Sequence, residues 1–224
     1  QEGRPHALCS LRRLPPQRQL DLARDIREGE DAGDRPLFEG RPQSLKGRLG
    51  VIRARGQGEN GVDQFPEAHF EWVVFSSTPE RAKEAMRSSD IFLAGVRSKN
   101  VTVQNFRNGY FPYIGDQIKD YFESLKNLTK PDWIFTHHSE DRHQDHRILA
   151  ELTWNTFRDH LIFEYEIPKF DGGLGSPNCF VPAKQAASDK KIATLMECFL
   201  SETVKPWFSP ETFHAMLRLR GVEC

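Results

Sequence analysis

Apolar and polar residues follow a regular pattern only in the part of the chain after residue 65. Mostly apolar runs predict strands at residues 70–76, 133–136 and 161–167, and alternation of apolar and polar residues predicts a fourth strand at residues 100–106. Apolar residues spaced three or four apart predict five helices, at residues 78–88, 114–128, 145–160, 188–201 and 210–219. The first helix has a clear start, with Thr78 as its N-cap and Pro79 at its first position.

The order of these elements indicates a fold class. A strand, a helix and another strand, repeated along the chain, are typical of βαβ units. Such units place their strands parallel and cover the sheet with helices. The sequence therefore predicts an α/β protein with a Rossmann-like three-layer fold and a mainly parallel sheet.

Residues 1–64 differ in composition from the rest of the chain. They hold eleven of the twenty arginines but one of the eleven lysines, and Phe38 is their single aromatic residue. Weak helical spacing at residues 17–28 and a short apolar run at residues 49–52 would bury little surface. We therefore predict a poorly ordered or non-native segment at residues 1–64 and one domain at residues 65–224. An arginine-rich arm for nucleic acid is disfavoured, because acidic residues interleave with the arginines.

Charge and composition exclude several classes of function. The chain has 31 basic and 32 acidic residues, so its net charge does not favour binding to nucleic acid or to an anionic membrane. No apolar run reaches the length of a membrane span, and no signal peptide is visible. The four cysteines are scattered without C-x-x-C spacing, which is typical of reduced thiols. We therefore expect a cytoplasmic protein without a membrane span, of open oligomeric state.

The densest group of titratable residues lies at residues 136–147, between a predicted strand and a predicted helix. These twelve residues include four histidines, three carboxylates and two arginines. Loops at this position commonly carry the chemistry of open α/β sheets. The most informative part reads His143-Gln144-Asp145-His146, in which two histidines three apart project to a similar side of a helical turn. Asp145 could orient a neighbouring imidazole and raise its basicity.

Residue types alone leave three interpretations of this cluster open. Histidine and carboxylate side chains are ligands of zinc and iron, which indicates a metal centre. His143-x-Asp145 with a distant His160 or His214 also has the spacing of non-haem iron oxygenases, although that triad normally lies on the strands of a double-sheet barrel. The simplest alternative is a polar, solvated helical turn that is capped by Asp145.

Similarity to a known family extends through this region. The segments Trp133-Ile134-Phe135-Thr136-His137-His138 and Asp141-Arg142-His143-Gln144-Asp145-His146-Arg147 resemble the second motif of the PIG-L/LmbE family of zinc-dependent N-deacetylases. The resemblance continues at residues 164–169, 178–182, 205–208 and 217–221, and covers about residues 66–224. It implies hydrolysis of the acetamide of an N-acetylated sugar, such as an N-acetylglucosamine-containing compound, or of a related small molecule. The products would be acetate and an amine.

The resemblance also implies a role for each matching residue. His146 would bind zinc or another divalent metal, and His143 would stabilise the tetrahedral intermediate or protonate the leaving amine. Asp145 would support the His143 imidazole, so that His143 and Asp145 form the catalytic pair. The residues expected to contact the substrate or to orient the ligands are His137, His138, Asp141 and Arg142.

One part of the family pattern does not occur in this chain. The family's first motif, Ala-His-Pro-Asp-Asp or a close variant, would end the first strand and supply a His ligand, an Asp ligand and the Asp base. The 224 residues contain no His-x-Asp-Asp sequence, and the histidines that precede the second motif are His6 and His69. We therefore expect a domain that lacks its first strand motif and is truncated at its C-terminus. A catalytically incompetent homologue or an incomplete gene product is the alternative to an active deacetylase.

Overall fold

The computed structural model describes residues 68–128, 130–181 and 183–223, together with the backbone of the strands Ser10–Leu11 and Arg48–Arg53. The second of these strands contains the apolar run predicted at residues 49–52. These two strands belong to the sheet and come from residues 1–64, for which a poorly ordered or non-native segment stays a prediction. The weak helical spacing at residues 17–28 lies outside the described residues.

Strands and helices alternate along the described chain. The strands are β1 (Ser10–Leu11), β2 (Arg48–Arg53), β3 (His69–Val74), β4 (Ser98–Val103), β5 (Trp133–His137) and β6 (Leu161–Tyr165). The helices are α1 (Pro79–Phe92), α2 (Gly115–Leu128), α3 (Gln144–Thr156), α4 (Gln185–Cys198) and α5 (Pro210–Glu223), with short 3-10 helices at Phe111–Tyr113 and Leu200–Glu202. None of the described helices combines the length and apolarity that crossing a membrane requires. The α/β class predicted from the sequence is confirmed.

The strands form one sheet in the order β1-β6-β5-β2-β3-β4. β3 pairs parallel with β4, and β5 pairs parallel with β6, as expected for strands that are joined through helices. β2 lies between β3 and β5 and is antiparallel to both, and β1 is antiparallel to β6. The sheet is therefore mixed, and the prediction of a mainly parallel sheet needs this correction. The reason is that β1 and β2 come from residues 1–64, where the sequence pattern indicated no strand direction.

One face of the sheet packs against α2 and α3. Alternate side chains of a strand point to opposite faces, and on this face Val73 and Ile134 join the helices in one apolar cluster. α2 contributes Ile118, Phe122 and Leu125, whose spacing places them on one side of the helix. This is the stripe predicted from the sequence for residues 114–128. α3 lies over the same face and follows the candidate site in the chain.

The opposite face carries the cluster formed with α1, α4 and α5. Trp72 and Val74 point to this side and meet Phe92, Leu195 and Phe213 of the three helices. α1 continues to Phe92, beyond its predicted end at residue 88, because Phe92 is buried in this cluster.

α3 ends earlier than predicted, at Thr156 instead of residue 160. The cause is Phe157, which leaves the helical conformation with a φ of −113° and a ψ of 47°. Its buried ring lies 6.4 Å from the ring of Phe122 on α2. The packing of one aromatic side chain therefore sets the end of the helix.

Candidate active site

The candidate site lies where β5 ends and α3 begins. His137 is the last residue of β5 and is completely buried. The loop 138–143 is fixed by backbone hydrogen bonds from His138 N to the Tyr165 carbonyl and from Asp141 N to the His138 carbonyl, each 3.0 Å long. Its position at the carboxyl end of a strand is the one in which α/β proteins commonly bind ligands.

Three of the four histidines of this region lie against one another. The rings of His137 and His146 stack, with centroids 4.0 Å apart and planes inclined by 8°. The ring centroid of His143 lies 4.5 Å from that of His146. His143 and His146 meet at the start of α3 because of their spacing in the sequence, and His137 joins them from the end of β5.

A buried carboxylate orients His146. Oδ2 of Asp141 accepts hydrogen bonds from Nδ1 of His146 at 3.0 Å and from Nζ of Lys169 at 2.7 Å. Oδ1 accepts from the backbone N of His143 at 2.7 Å. Burial alone would raise the pKa of the Asp141 carboxyl, but the hydrogen bonds and charges of His146 and Lys169 outweigh burial and lower this pKa below its ordinary value. Asp141 is therefore an acceptor at neutral pH and Nδ1 of His146 is the donor, so Nε2 of a neutral His146 ring carries the lone pair.

Asp145 is buried and holds a neighbouring loop. Its carboxylate accepts hydrogen bonds from the backbone N of Gly109 at 2.5 Å and of Phe111 at 3.1 Å. The side chain of Gln144 donates to the Gly109 carbonyl. The first turn of α3 is thereby attached to the loop before α2. The support of His143 that the resemblance implies for Asp145 stays a prediction.

The carboxylate of Glu164, on β6, accepts hydrogen bonds from His138 and from two neighbouring residues. Its Oε2 accepts from Nδ1 of His138 at 3.0 Å and from the backbone N of Ser139 at 2.9 Å, and its Oε1 accepts from Nε1 of Trp154 at 2.7 Å. Burial acts to raise the pKa of the Glu164 carboxyl, but the hydrogen bonds from His138, Ser139 and Trp154 prevail and lower it. His138 is thus fixed from inside the protein.

Stability should depend on pH through Glu164. Its folded pKa lies below the ordinary value of 4.5, so its contribution is fully present above that pH and is lost as pH falls through the folded value. At pH 7, Glu164→Gln should lower the free energy of unfolding by about 1–3 kcal/mol, since a buried charge-assisted network is weakened. Urea unfolding of both proteins at several pH values from 7 to 3 measures this. The gap between them should narrow below about pH 4.5; a gap that is constant over the range would contradict the assignment.

Residues that the sequence analysis did not select complete the site. These are Glu164, Lys169 and the Glu166–Arg220 pair, all of them buried side chains with ionisable groups. A signal existed for the two glutamates, since both interrupt an otherwise apolar strand pattern. Lys169 and Arg220 lie in segments of the family resemblance, but their partners could not be predicted because those partners lie far from them in the sequence.

A glycine-rich loop covers one side of the site. A Cβ atom on Gly173 would lie 2.7 Å from the backbone N of Arg142, and one on Gly175 would lie 2.5 Å from Nε2 of His138. The exposed Arg142 is held through its carbonyl, which accepts from Nη1 of Arg147 at 2.7 Å. The substrate or orienting roles expected for His138 and Arg142 stay predictions, but the ring of His138 faces protein at both nitrogens.

The geometry disfavours the iron triad that includes His160. α3 has 13 residues, which at a rise of about 1.5 Å per residue separates its two ends by roughly 20 Å. His143 precedes this helix and His160 follows it, so one metal ion cannot bind both. His214 lies on α5 and is exposed.

The described residues do not by themselves fit a catalytic zinc ion. Such an ion takes three protein ligands. Within the described residues, no group of three or more His, Cys, Asp or Glu side chains is arranged to hold a metal. His146 stays the predicted ligand, without a ligand set around it in this part of the chain.

Comparisons with known proteins gave a match to one family model and a similarity to a solved structure. Residues 51–157 match the sequence model of the family described as PIG-L: GlcNAc-PI de-N-acetylase. Among solved structures, the chain is similar to the crystal structure of the conserved protein TT1542 from Thermus thermophilus. The identity is 22%, 66% of this chain and 72% of that chain are covered, and the TM-score is 0.48. No curated protein matches the chain.

Proposed function

We propose that this chain is an N-deacetylase-type hydrolase of N-acetylated sugars or related small molecules. The proposal is supported by the match of residues 51–157 to the PIG-L family model. The reaction would release acetate and an amine, and compounds that contain N-acetylglucosamine are the substrate class that we favour. The observation that carries the proposal is the ordered group of His143, His146 and Asp141 at the end of β5.

The side chains of this group suit acyl transfer. His143 is the half-buried member and lies at the N-cap of α3. In its protonated form it would donate to the oxygen that becomes negative in the tetrahedral intermediate, and then give its proton to the leaving amine. His146 is held in one orientation by Asp141, which preorganises its Nε2.

We infer that this chain binds zinc weakly and hydrolyses its acetylated substrate slowly. The family's first motif would place two ligands at the end of a strand, and the sequence contains no His-x-Asp-Asp. The slot between β3 and β5 is occupied by β2, which is antiparallel to both. Its last residue, Arg53, lies opposite His69, where β3 begins. Ligands at that end would lie at the wrong edge of the sheet for His146.

The shortage of ligands within the described part of the chain favours a second candidate, a catalytically incompetent homologue. It keeps the second motif and its buried network but performs no hydrolysis. The two candidates make different predictions for acetate release, and one assay distinguishes them.

We also infer a Rossmann-like three-layer arrangement for this domain. The support is the pair of apolar clusters on opposite faces of the sheet, one formed with α2 and α3 and the other with α1, α4 and α5. Two βαβ-type parallel strand pairs flank the centre of the sheet.

The proposal is tested by metal analysis together with acetate release. We expect purified protein to contain well under one zinc per chain, and to release acetate slowly from N-acetylglucosamine compounds. His143→Ala should reduce the residual rate by about 10²-fold or more, as the loss of one oxyanion donor does in other enzymes. His160→Ala, at the far end of α3, serves as the matched control and should leave the rate unchanged.

Two outcomes would contradict these expectations. One zinc per chain with rapid deacetylation would overturn the inference of an incomplete site. No release above that of the His143→Ala variant, even with added zinc, would support the incompetent homologue.

A further inference from the structure

A single guanidinium closes the loop that follows β6. Arg220 of α5 is 9% exposed. It donates from Nε to Oε1 of Glu166 at 2.8 Å, and from Nη2 to Oε2 of Glu166 at 2.7 Å and to the carbonyl of Gly175 at 2.8 Å. Glu166 and Gly175 begin and end the loop 166–175. Arg220 therefore joins both ends of this loop to one helix.

The loop 166–175 contacts the residues of the second motif, which include the loop 138–143, at three points. Lys169 bonds Asp141, Gly173 lies against the backbone of Arg142, and Gly175 lies against the ring of His138; these are the contacts described for the site. Lys169 and Gly173 lie between the two ends that Arg220 holds, and Gly175 is one of those ends. Any movement of the loop would therefore displace Lys169 relative to Asp141, which orients His146.

The loop is anchored at its start by Ile167, which is 2% exposed, whereas its later part has little apolar anchoring beyond the ring contact of Phe170 with Trp207. Phe170 is 71% exposed and Leu174 is 48% exposed. Burial of apolar side chains is what usually holds a surface loop in place. After Ile167, the polar contacts of Lys169 and Arg220 supply most of the anchoring, and a loop tied at both ends has far fewer open conformations.

We propose that Arg220 is a positioning residue for the candidate active site, acting through the loop 166–175. Its planar guanidinium meets the Glu166 carboxylate with two hydrogen bonds and still reaches the Gly175 carbonyl. A lysine cannot make this set of contacts, because its ammonium presents no planar fork. The consequence for catalysis rests on the proposed function, whereas the consequence for the loop does not.

The test uses the full chain and compares three variants. Arg220→Lys keeps the charge but loses the fork. The double variant Glu166→Gln with Arg220→Met removes both charges of the buried pair, so neither charge is left buried without its partner. It keeps the test possible if Arg220→Lys fails to fold. Arg218→Met is the matched control, since Arg218 lies on the same helix and is exposed.

Each variant is measured in two ways, by amide hydrogen exchange and by the ring ¹⁵N signals of His146. Hydrogen exchange of amides in residues 170–175 should accelerate by about tenfold or more in the first two variants, since charged hydrogen bonds contribute a factor of this order. Amides of α2 should exchange at the wild-type rate. The ring ¹⁵N signals of His146 should also shift, because Lys169 no longer holds Asp141 in place.

The outcomes separate the proposal from a general loss of stability and from the proposed function. Unchanged exchange in residues 170–175, or equal acceleration there and in α2 in the double variant, would overturn the positioning role. Local acceleration with a shifted His146 signal would establish it, whether or not acetate release is measurable. Absent acetate release in the wild-type protein would bear on the proposed function alone.

Discussion

Replacing Asp141 by asparagine is expected to lower the free energy of unfolding at pH 7 by about 3–5 kcal/mol, because one partner of a buried ion pair is removed. The side chains of Asp141 and Lys169 are each 1% exposed, and Nζ lies 2.7 Å from Oδ2. An asparagine keeps the shape of the carboxylate but not its charge. Lys169 then stays buried beside a neutral amide, whose single oxygen cannot accept from His146, Lys169 and the backbone N of His143 together. Urea unfolding at pH 7 measures the loss.

A double-mutant cycle isolates the ion pair. Lys169→Met removes the buried ammonium, so adding it to Asp141→Asn should recover part of the lost stability. Asp159→Asn is the control, since Asp159 is exposed, and it should change the free energy of unfolding by less than about 0.5 kcal/mol. If Asp141→Asn costs less than about 1 kcal/mol, the pair does not contribute as its burial implies.

Gly173→Ala is expected to be clearly more destabilising than Gly172→Ala. Both glycines have left-handed backbone conformations, with φ of 81° and 70°, which cost an alanine about 1–2 kcal/mol. They differ in the space around them. A Cβ on Gly173 would lie 2.7 Å from the backbone N of Arg142, whereas one on Gly172 would meet nothing within 4 Å. The close contact should add about 1–3 kcal/mol for Gly173→Ala, as overpacking does elsewhere.

The pair of variants separates backbone strain from the close contact with the site. Gly115→Ala adds a third reference, since Gly115 opens α2 with open space around it and is not among the glycines of positive φ. It should be neutral or slightly stabilising. Chemical unfolding of the three variants gives the comparison. Equal losses for Gly172→Ala and Gly173→Ala would show that the loop is not pressed against Arg142.

The helices and strands after residue 65 could be predicted because each depends on a local pattern. α2 is the clearest example, since the spacing of Ile118, Phe122 and Leu125 within the helix is enough to predict its buried side. The ends of helices were predicted less well. α1 and α3 end where Phe92 and Phe157 pack, and that packing involves residues far away in the chain.

The direction of β2 could not be predicted from its residues. An apolar run indicates a strand, but it does not indicate whether the strand runs parallel or antiparallel to its neighbours. That direction decides which end of β2 lies at the edge of the sheet that carries His146. The assignment of a complete or incomplete ligand set depends on it.

The sequence by itself determined the α/β class, most of the elements and the cluster that contains His143 and His146, because all of these rest on spacing within a few residues. Only the tertiary structure decided that Asp141 orients His146, that Lys169 reaches Asp141 from beyond β6, and that Arg220 ties the loop 166–175 to α5. These partners are brought together by strand order and helix packing, to which no local pattern refers. The second motif can therefore be recognised in the sequence, whereas the hydrogen-bond network that positions it forms only in the folded protein.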